Sequence, residues 1–213
     1  MGLLRVTAYE GGFERNLAGG DLLVDGTTLP ATDTTNTNLT ITAAMLLQGL
    51  IVRNPAGVSN ENYDTAANLV AAFGQGKAIA PGTQFRYRVI NLSANLLTGV
   101  FAANTGLVGV RGNVLASTTK DFMCTITNGS PAQAFAVSST NASAVLFGLT
   151  SDQCALLTPG MIVTNAILGL QGQTIIGINA AAGTVTMSGN ANATSTLSAV
   201  SFSPVVTITG LQA

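Results

Sequence analysis

The sequence predicts a mainly β fold: an antiparallel sandwich, a jelly-roll-like pair of sheets or a barrel, with one or two short helices and an extended N-terminal arm. Beyond residue 80, short apolar segments recur at close and regular spacing, divided by Gly, Asn, Ser and Pro. Many short strands joined by turns give this pattern. In QFRYRVIN, Phe85, Tyr87 and Val89 alternate with Arg86, Arg88 and Ile90, the period of two expected of a strand with one buried face. Helical spacing is confined to two stretches before residue 75.

Taken in order, residues 1–40 carry Arg5, Glu10, Glu14, Arg15, Asp21, Asp25 and Asp33, two Gly pairs and the polar run ATDTTNTNLT, with no sustained periodicity. They read as an arm able to gain order along a neighbouring subunit, with Arg5, Glu10, Phe13 and Arg15 as its candidate interface residues. In TAAMLLQGLIV, Thr42 is placed to N-cap a helical turn through Ala43, Met45, Leu46 and Leu47 before β-branched Ile51 and Val52 favour a strand. A second helix is expected in TAANLVAAF, capped by Asp64, with Leu69, Val70 and Phe73 on one face and Gly74 as the left-handed stop.

Strand candidates then follow: TGVFAA, LVGVRG, DFMCTITN, AQAFAVS, SAVLFGL, GMIVTNAIL, TIIGIN, GTVTMSG, STLSAVSF and VVTITG. The expected organisation is an arm over 1–40, a main β domain with short helices over 41–148, and a small β module over 149–213. Residues 204–211 either pair within that module or return to the main sheet, which makes the module an insertion.

Only 8% of residues are charged, against 47% apolar, where an average soluble domain has roughly 25% charged residues. From residue 122 to the end the sole charge is Asp152. Charge keeps free monomers apart and hydrated, so a chain that omits it is expected to work within an assembly. A net charge of −1 gives no footprint for nucleic acid, whose binding rests on Lys and Arg neutralising phosphates. The opening MGLLRVTAYEGGFERN lacks the basic start and apolar core of a secretory signal, and no apolar run reaches the roughly 20 residues that span a bilayer. Neither membrane insertion nor secretion is expected.

Chemistry is sought with little return. There is no histidine, so the Ser-His-Asp and Cys-His plans and the usual neutral-pH acid–base are missing. Cys124 and Cys154 lack zinc-site spacing and read as small buried hydrophobes, although a disulfide between them stays open. Glu61 and Asp64 are the carboxylate pair for a polysaccharide-degrading alternative, against the plainer role of complementing a helix start. Gly74, Gly76 and Lys77 lack phosphate-loop spacing. Arg86 and Arg88 around Tyr87 form too small a basic platform for single-stranded nucleic acid. Several N-x-[ST] triplets, such as Asn38-Leu39-Thr40, are expected by chance in so Asn- and Thr-rich a chain. No catalytic residue, cofactor or metal is predicted.

Two segments carry a resemblance. Residues 42–129, through TAAMLLQGLIVR, DTAANLVAAF, GTQFRYRVIN, TGVFAANTGLVGVRG and the strand ending in TITN, resemble tailed-bacteriophage head decoration (cement) and related virion proteins. Residues 159–202, PGMIVTNAILGLQGQTIIGINAAAGTVTMSGNANATSTLSAVSF, resemble a small β module of phage structural proteins, with Asn165 and Ala166 where that pattern has Gly. The resemblance implies a virion surface protein made in the host cytoplasm that clamps neighbouring major capsid subunits. It also implies a homo-oligomer, dimer or trimer, without cofactor or catalytic residues. The alternative is a head-fibre or tail-associated host-recognition protein.

Overall fold

The structure is a computed structural model that describes residues 33–34, 38–100, 105–109 and 112–211. Among them are fourteen strands and three helices, a mainly β protein with a closed barrel. The candidate interface residues Arg5, Glu10, Phe13 and Arg15, and most of the expected arm, lie outside the described residues.

The first unit is built from two facing sheets. One has five strands in the order β2 (Leu50–Arg53), β4 (Gln84–Asn91), β7 (Thr119–Asn128), β14 (Val205–Gly210) and β6 (Leu107–Gly109). The other has three, β1 (Leu39–Ile41), β3 (Ser59–Tyr63) and β5 (Leu97–Val100), all parallel. Parallel pairing also joins β2 to β4 and β14 to β6. Such pairs need long crossovers, which the helices α1 (Ala43–Leu47) and α2 (Ala66–Gly74) help to supply.

The sequence periodicity of QFRYRVIN becomes packing here. Phe85, Tyr87 and Val89 of β4 point inward. Tyr87 stacks on Phe122 at 4.9 Å and 6°, and its hydroxyl bonds that of Tyr63 at 2.8 Å across the gap between sheets. Burial supplies the drive, at roughly 1.5–3 kcal/mol for each large apolar side chain. The shared hydroxyl bond satisfies the two polar tips that burial would otherwise leave unpaired.

Thr42 caps α1 as the sequence predicts, its hydroxyl accepting from the Met45 amide. For α2 the cap moves by one residue. Thr65 accepts from the Asn68 amide, while the Asp64 carboxylate accepts from the Thr65 amide and the Asn68 side chain. Gly74 is still helical, and the left-handed stop falls on Gln75 and Gly76 at φ 51° and 79°. A third helix, α3 (Ser151–Ala155), begins with a capping box between Thr150 and Gln153.

The second unit is a closed six-stranded antiparallel barrel. Its strands are β8 (Gln133–Ser139), β9 (Val145–Phe147), β10 (Ile162–Asn165), β11 (Leu170–Asn179), β12 (Thr184–Met187) and β13 (Ser195–Ser203). Around the wall they run β10, β11, β12, β9, β8, β13 and back to β10. Val137, Leu146, Met161, Val163, Val185, Val200 and Phe202 fill the interior, as side chains must in so narrow a barrel.

Residue 149 therefore falls within the barrel, which takes its first two strands from the segment before it. The low-charge run offers no composition shift at residue 133 to mark the entry. β14 lies in the five-stranded sheet, pairing antiparallel with β7 and parallel with β6. Entry and exit are neighbours twice over: Asn128 stands opposite Val205 in the sandwich, and Gln133 opposite Phe202 in the barrel. At the crossing the Asn128 side-chain amide donates to Thr158 and to the Pro159 carbonyl, and Gly129 packs where any Cβ would collide with the Ile79 carbonyl.

Because the insertion leaves and re-enters between register partners, replacing residues 130–204 by a short Gly/Ser turn is expected to leave a cooperatively folded sandwich. Circular dichroism and a thermal melt of the shortened chain check this, and a melt without a transition contradicts it.

Candidate functional site

The polar feature that the sandwich encloses is an ion cluster at the end of the sheets away from the barrel. β2 turns Ile51 and Arg53 inward by alternation, and β3 turns Ser59, Glu61 and Tyr63 inward by the same rule. Two facing strands thus aim a guanidinium and a carboxylate at each other. Arg53 is 0% exposed. Its Nε lies 3.2 Å from each Glu61 carboxylate oxygen, and one terminal nitrogen donates to Glu61 at 3.0 Å and to Ser59 at 3.2 Å. The other terminal nitrogen donates to the Asp33 carboxylate at 2.7 Å and to its carbonyl at 3.0 Å.

Asp33 also bridges the edge of β2. Its amide donates to the Val52 carbonyl, and its own carbonyl accepts from Asn54. Arg53 therefore fastens the first described residue of the chain to both sheets. Taking a guanidinium out of water costs several kcal/mol, which only near-complete pairing offsets.

A cavity of about 10 Å³ borders this cluster, touched by Glu61, Tyr63, Gly99 and Gly112, with room for about one water molecule. Asp64 does not line it; it serves the start of α2 and accepts from the Ala43 amide at 3.4 Å. The paired-carboxylate arrangement considered for a glycosidase thus divides between two structural tasks, Glu61 in the Arg53 cluster and Asp64 at the start of α2.

Tyr87 lies inside the sandwich, whereas Arg88 lies outside, held to Asp121 by two bonds of 2.6 and 2.8 Å. The aromatic and the guanidinium groups occupy opposite faces of the sheet, so they form no common stacking platform. The Arg88 bonds hold the Asp121 carboxyl below its usual range; the pair is exposed and contributes little to stability.

Cys124 and Cys154 are free, buried, and belong to the sandwich and barrel cores respectively. Burial pushes both thiols up from their ordinary range. Among the described residues no group of three or more His, Cys, Asp or Glu is placed to hold a metal, and no helix is long and apolar enough to cross a membrane.

The loops at this end form a second feature. Residues 54–58, 92–96 and 113–118 contain no charged side chain. Asn91 donates to the carbonyls of Asn95 and Leu115, its own oxygen accepts from Ser93, and Asn95 donates to the Pro55 carbonyl. Val58, Leu92 and Leu115 remain exposed on this hydrogen-bonded base. Sequence reasoning missed both the cluster and these loops. The usable signal was the polar alternation of SNENY opposite an arginine in LIVR.

No family model, curated protein or solved structure matches the chain.

Arg53→Ala is expected to cost about 3–5 kcal/mol, because the buried Glu61 carboxylate loses its counter-charge and the half-buried Asp33 loses its anchor; a denaturant titration measures it. Both thiols are expected to resist a disulfide exchange reagent in the native protein and to react promptly in denaturant, since the thiolate is the reactive form. Fast labelling without denaturant contradicts the buried positions.

Proposed function

We propose that this protein is a bacteriophage capsid decoration protein, which binds the outside of the assembled shell and stabilises contacts between major capsid subunits. The observation that carries the reading is a closed β scaffold almost without charge: residues 133–203, the whole barrel, hold Asp152 alone. Such a surface gains its solubility and its usefulness in contact with other subunits rather than by charge repulsion in solution. Three further features agree with it. The sequence resembles cement proteins over residues 42–129. Two of the three loops opposite the barrel are built on side-chain hydrogen bonds that pre-organise a neutral surface, which lowers the ordering cost of docking. Asp33, the first described residue, is bonded to Asn54 at the start of one of those loops.

The mechanism is mass action. A protein that binds the assembled shell and not its separated subunits shifts stability toward the shell by the free energy of that binding. Interfaces of the usual size, about 800 Å² per partner, repeated over many positions, suffice without any chemical step.

A head-fibre or tail-associated host-recognition role is the second reading, favoured by the many Ser, Thr and Asn residues of the barrel segment. Copy number separates the two: many copies per particle fit decoration, a few fit a fibre.

Adding purified protein to shells stripped of it is expected to raise the temperature at which they release DNA, with saturation at a fixed stoichiometry. Shells that bind none of it, or melt unchanged when saturated, rule out the decoration role.

A further inference from the structure

The joint between sandwich and barrel is held by polar groups and not by a common core. Among the described residues the two apolar cores share no member. The buried apolar residues at the crossing, Ile162 opposite Ser203 and Val205 opposite Asn128, belong to neither. The chain crosses twice, through residues 129–132 on the way in and through Pro204 alone on the way out. Units joined in this way move relative to each other unless a large apolar interface stops them.

Directional hydrogen bonds stand where such an interface would be. Asn128 is the last residue of β7 and is 5% exposed. Its side-chain nitrogen donates to the Thr158 hydroxyl at 2.9 Å and to the Pro159 carbonyl at 3.0 Å, while its oxygen accepts from the Ser130 amide at 3.0 Å. A carboxamide has two N–H donors, and both are used across the joint. The Ser130 and Thr158 hydroxyls, 2.7 Å apart, close the ring.

Both ends of this connection are firmly seated. On the sandwich side the Gly129 carbonyl accepts from the Ile79 amide at 2.9 Å, and any Cβ at residue 129 would collide with the Ile79 carbonyl. On the barrel side Leu157 belongs to the core, and the Gly160 amide donates to the Ile175 carbonyl at 2.8 Å. With neither seat free to shift, the carboxamide between them sets the angle of one unit to the other.

We propose that Asn128 is a latch: its carboxamide holds the barrel at one angle to the sandwich, and its release lets the barrel swing about Pro204 and residues 129–132 with both cores intact. Hydrogen bonds suit a joint that opens, because water replaces them at small net cost. A shared core could not part without exposing apolar surface. The closed state is therefore favoured by a limited margin, and loss of two of these bonds raises the swung-out fraction by roughly tenfold or more. The latch is independent of the decoration reading and needs no shell.

The test is the distance between two labels on the full chain, one at Ala116→Cys in the sandwich and one at Ala181→Cys in the barrel, both exposed positions. The native thiols are buried. With Asn128 intact, one narrow distance distribution is expected. Asn128→Asp sets a carboxylate, which only accepts, against the Pro159 carbonyl. Thr158→Val removes the hydroxyl that Asn128 and Ser130 both engage. Each is expected to lose the narrow distribution to a broad one, while the unlabelled variants keep the circular dichroism and cooperative melt of the wild type.

Thr158 lies on a half-buried turn outside the strands, so its variant decides the matter even where Asn128→Asp fails to fold. A broad distribution in the parent chain, or a narrow one unchanged by Thr158→Val, overturns the proposal. So does loss of the cooperative melt in Thr158→Val, which would make these bonds part of the fold itself and not a latch upon it.

Discussion

The pairing of β7 with β14 is the constraint on which the rest of the architecture depends. β14 is an interior strand: it brings Val206 and Ile208 to the sandwich core with no exposed surface and gives β6 its partner. Yet the whole barrel lies between β7 and β14 in sequence. Closing so long a loop costs conformational entropy before any contact rewards it. The barrel offsets much of that cost. Its strands are contiguous in sequence, and once they close, Gln133 and Phe202 lie side by side, leaving only short connections to bring Asn128 to Val205. Formation of the barrel first, followed by closure of the sandwich, is the order that this topology favours.

The sequence was most legible where one face of a strand is apolar. QFRYRVIN, DFMCTITN and VVTITG became β4, β7 and β14 because their inward residues are large and alternate with polar ones. β3 was hidden because SNENY turns Ser59 and Glu61 inward, and polar residues on a core face make sense only beside Arg53 of another strand. Such a pairing is tertiary information, invisible to a window that moves along the chain. β1 was hidden by its length of three residues. α3 was missed although Thr150 and Gln153 spell a capping box, since five residues give no periodicity to reinforce it. The entry to the barrel was not visible at residue 133 because apolar strands joined by Gly, Ser and Asn run on unchanged in composition from β7 through β8. The buried Arg53 cluster was the least legible feature of all, being assembled from three separate segments.

The two units differ in what holds them. The sandwich combines aromatic stacking of Phe73 on Phe85 and Tyr87 on Phe122 with an enclosed ion cluster. Its outer sheet face keeps charged side chains, as an ordinary soluble domain does. The barrel relies on aliphatic filling and backbone hydrogen bonds, and its outer wall is hydroxyl, amide and apolar. The uneven fall of charge along the sequence thus follows the division between the two units.

A neutral, β-rich segment of this kind would ordinarily invite templated growth into fibrils. Natural sheets commonly guard against it with lysines, prolines or inward charges along their outermost strands, and residues 133–203 contain no lysine at all. Closure takes the place of those guards. With β10 joined to both β11 and β13, every strand of the wall has two neighbours and none is outermost, although β8 meets β9 only through Ser138 and Ser139. Ring closure thus does for this module, by geometry, what charged or proline-capped borders do for an open sheet.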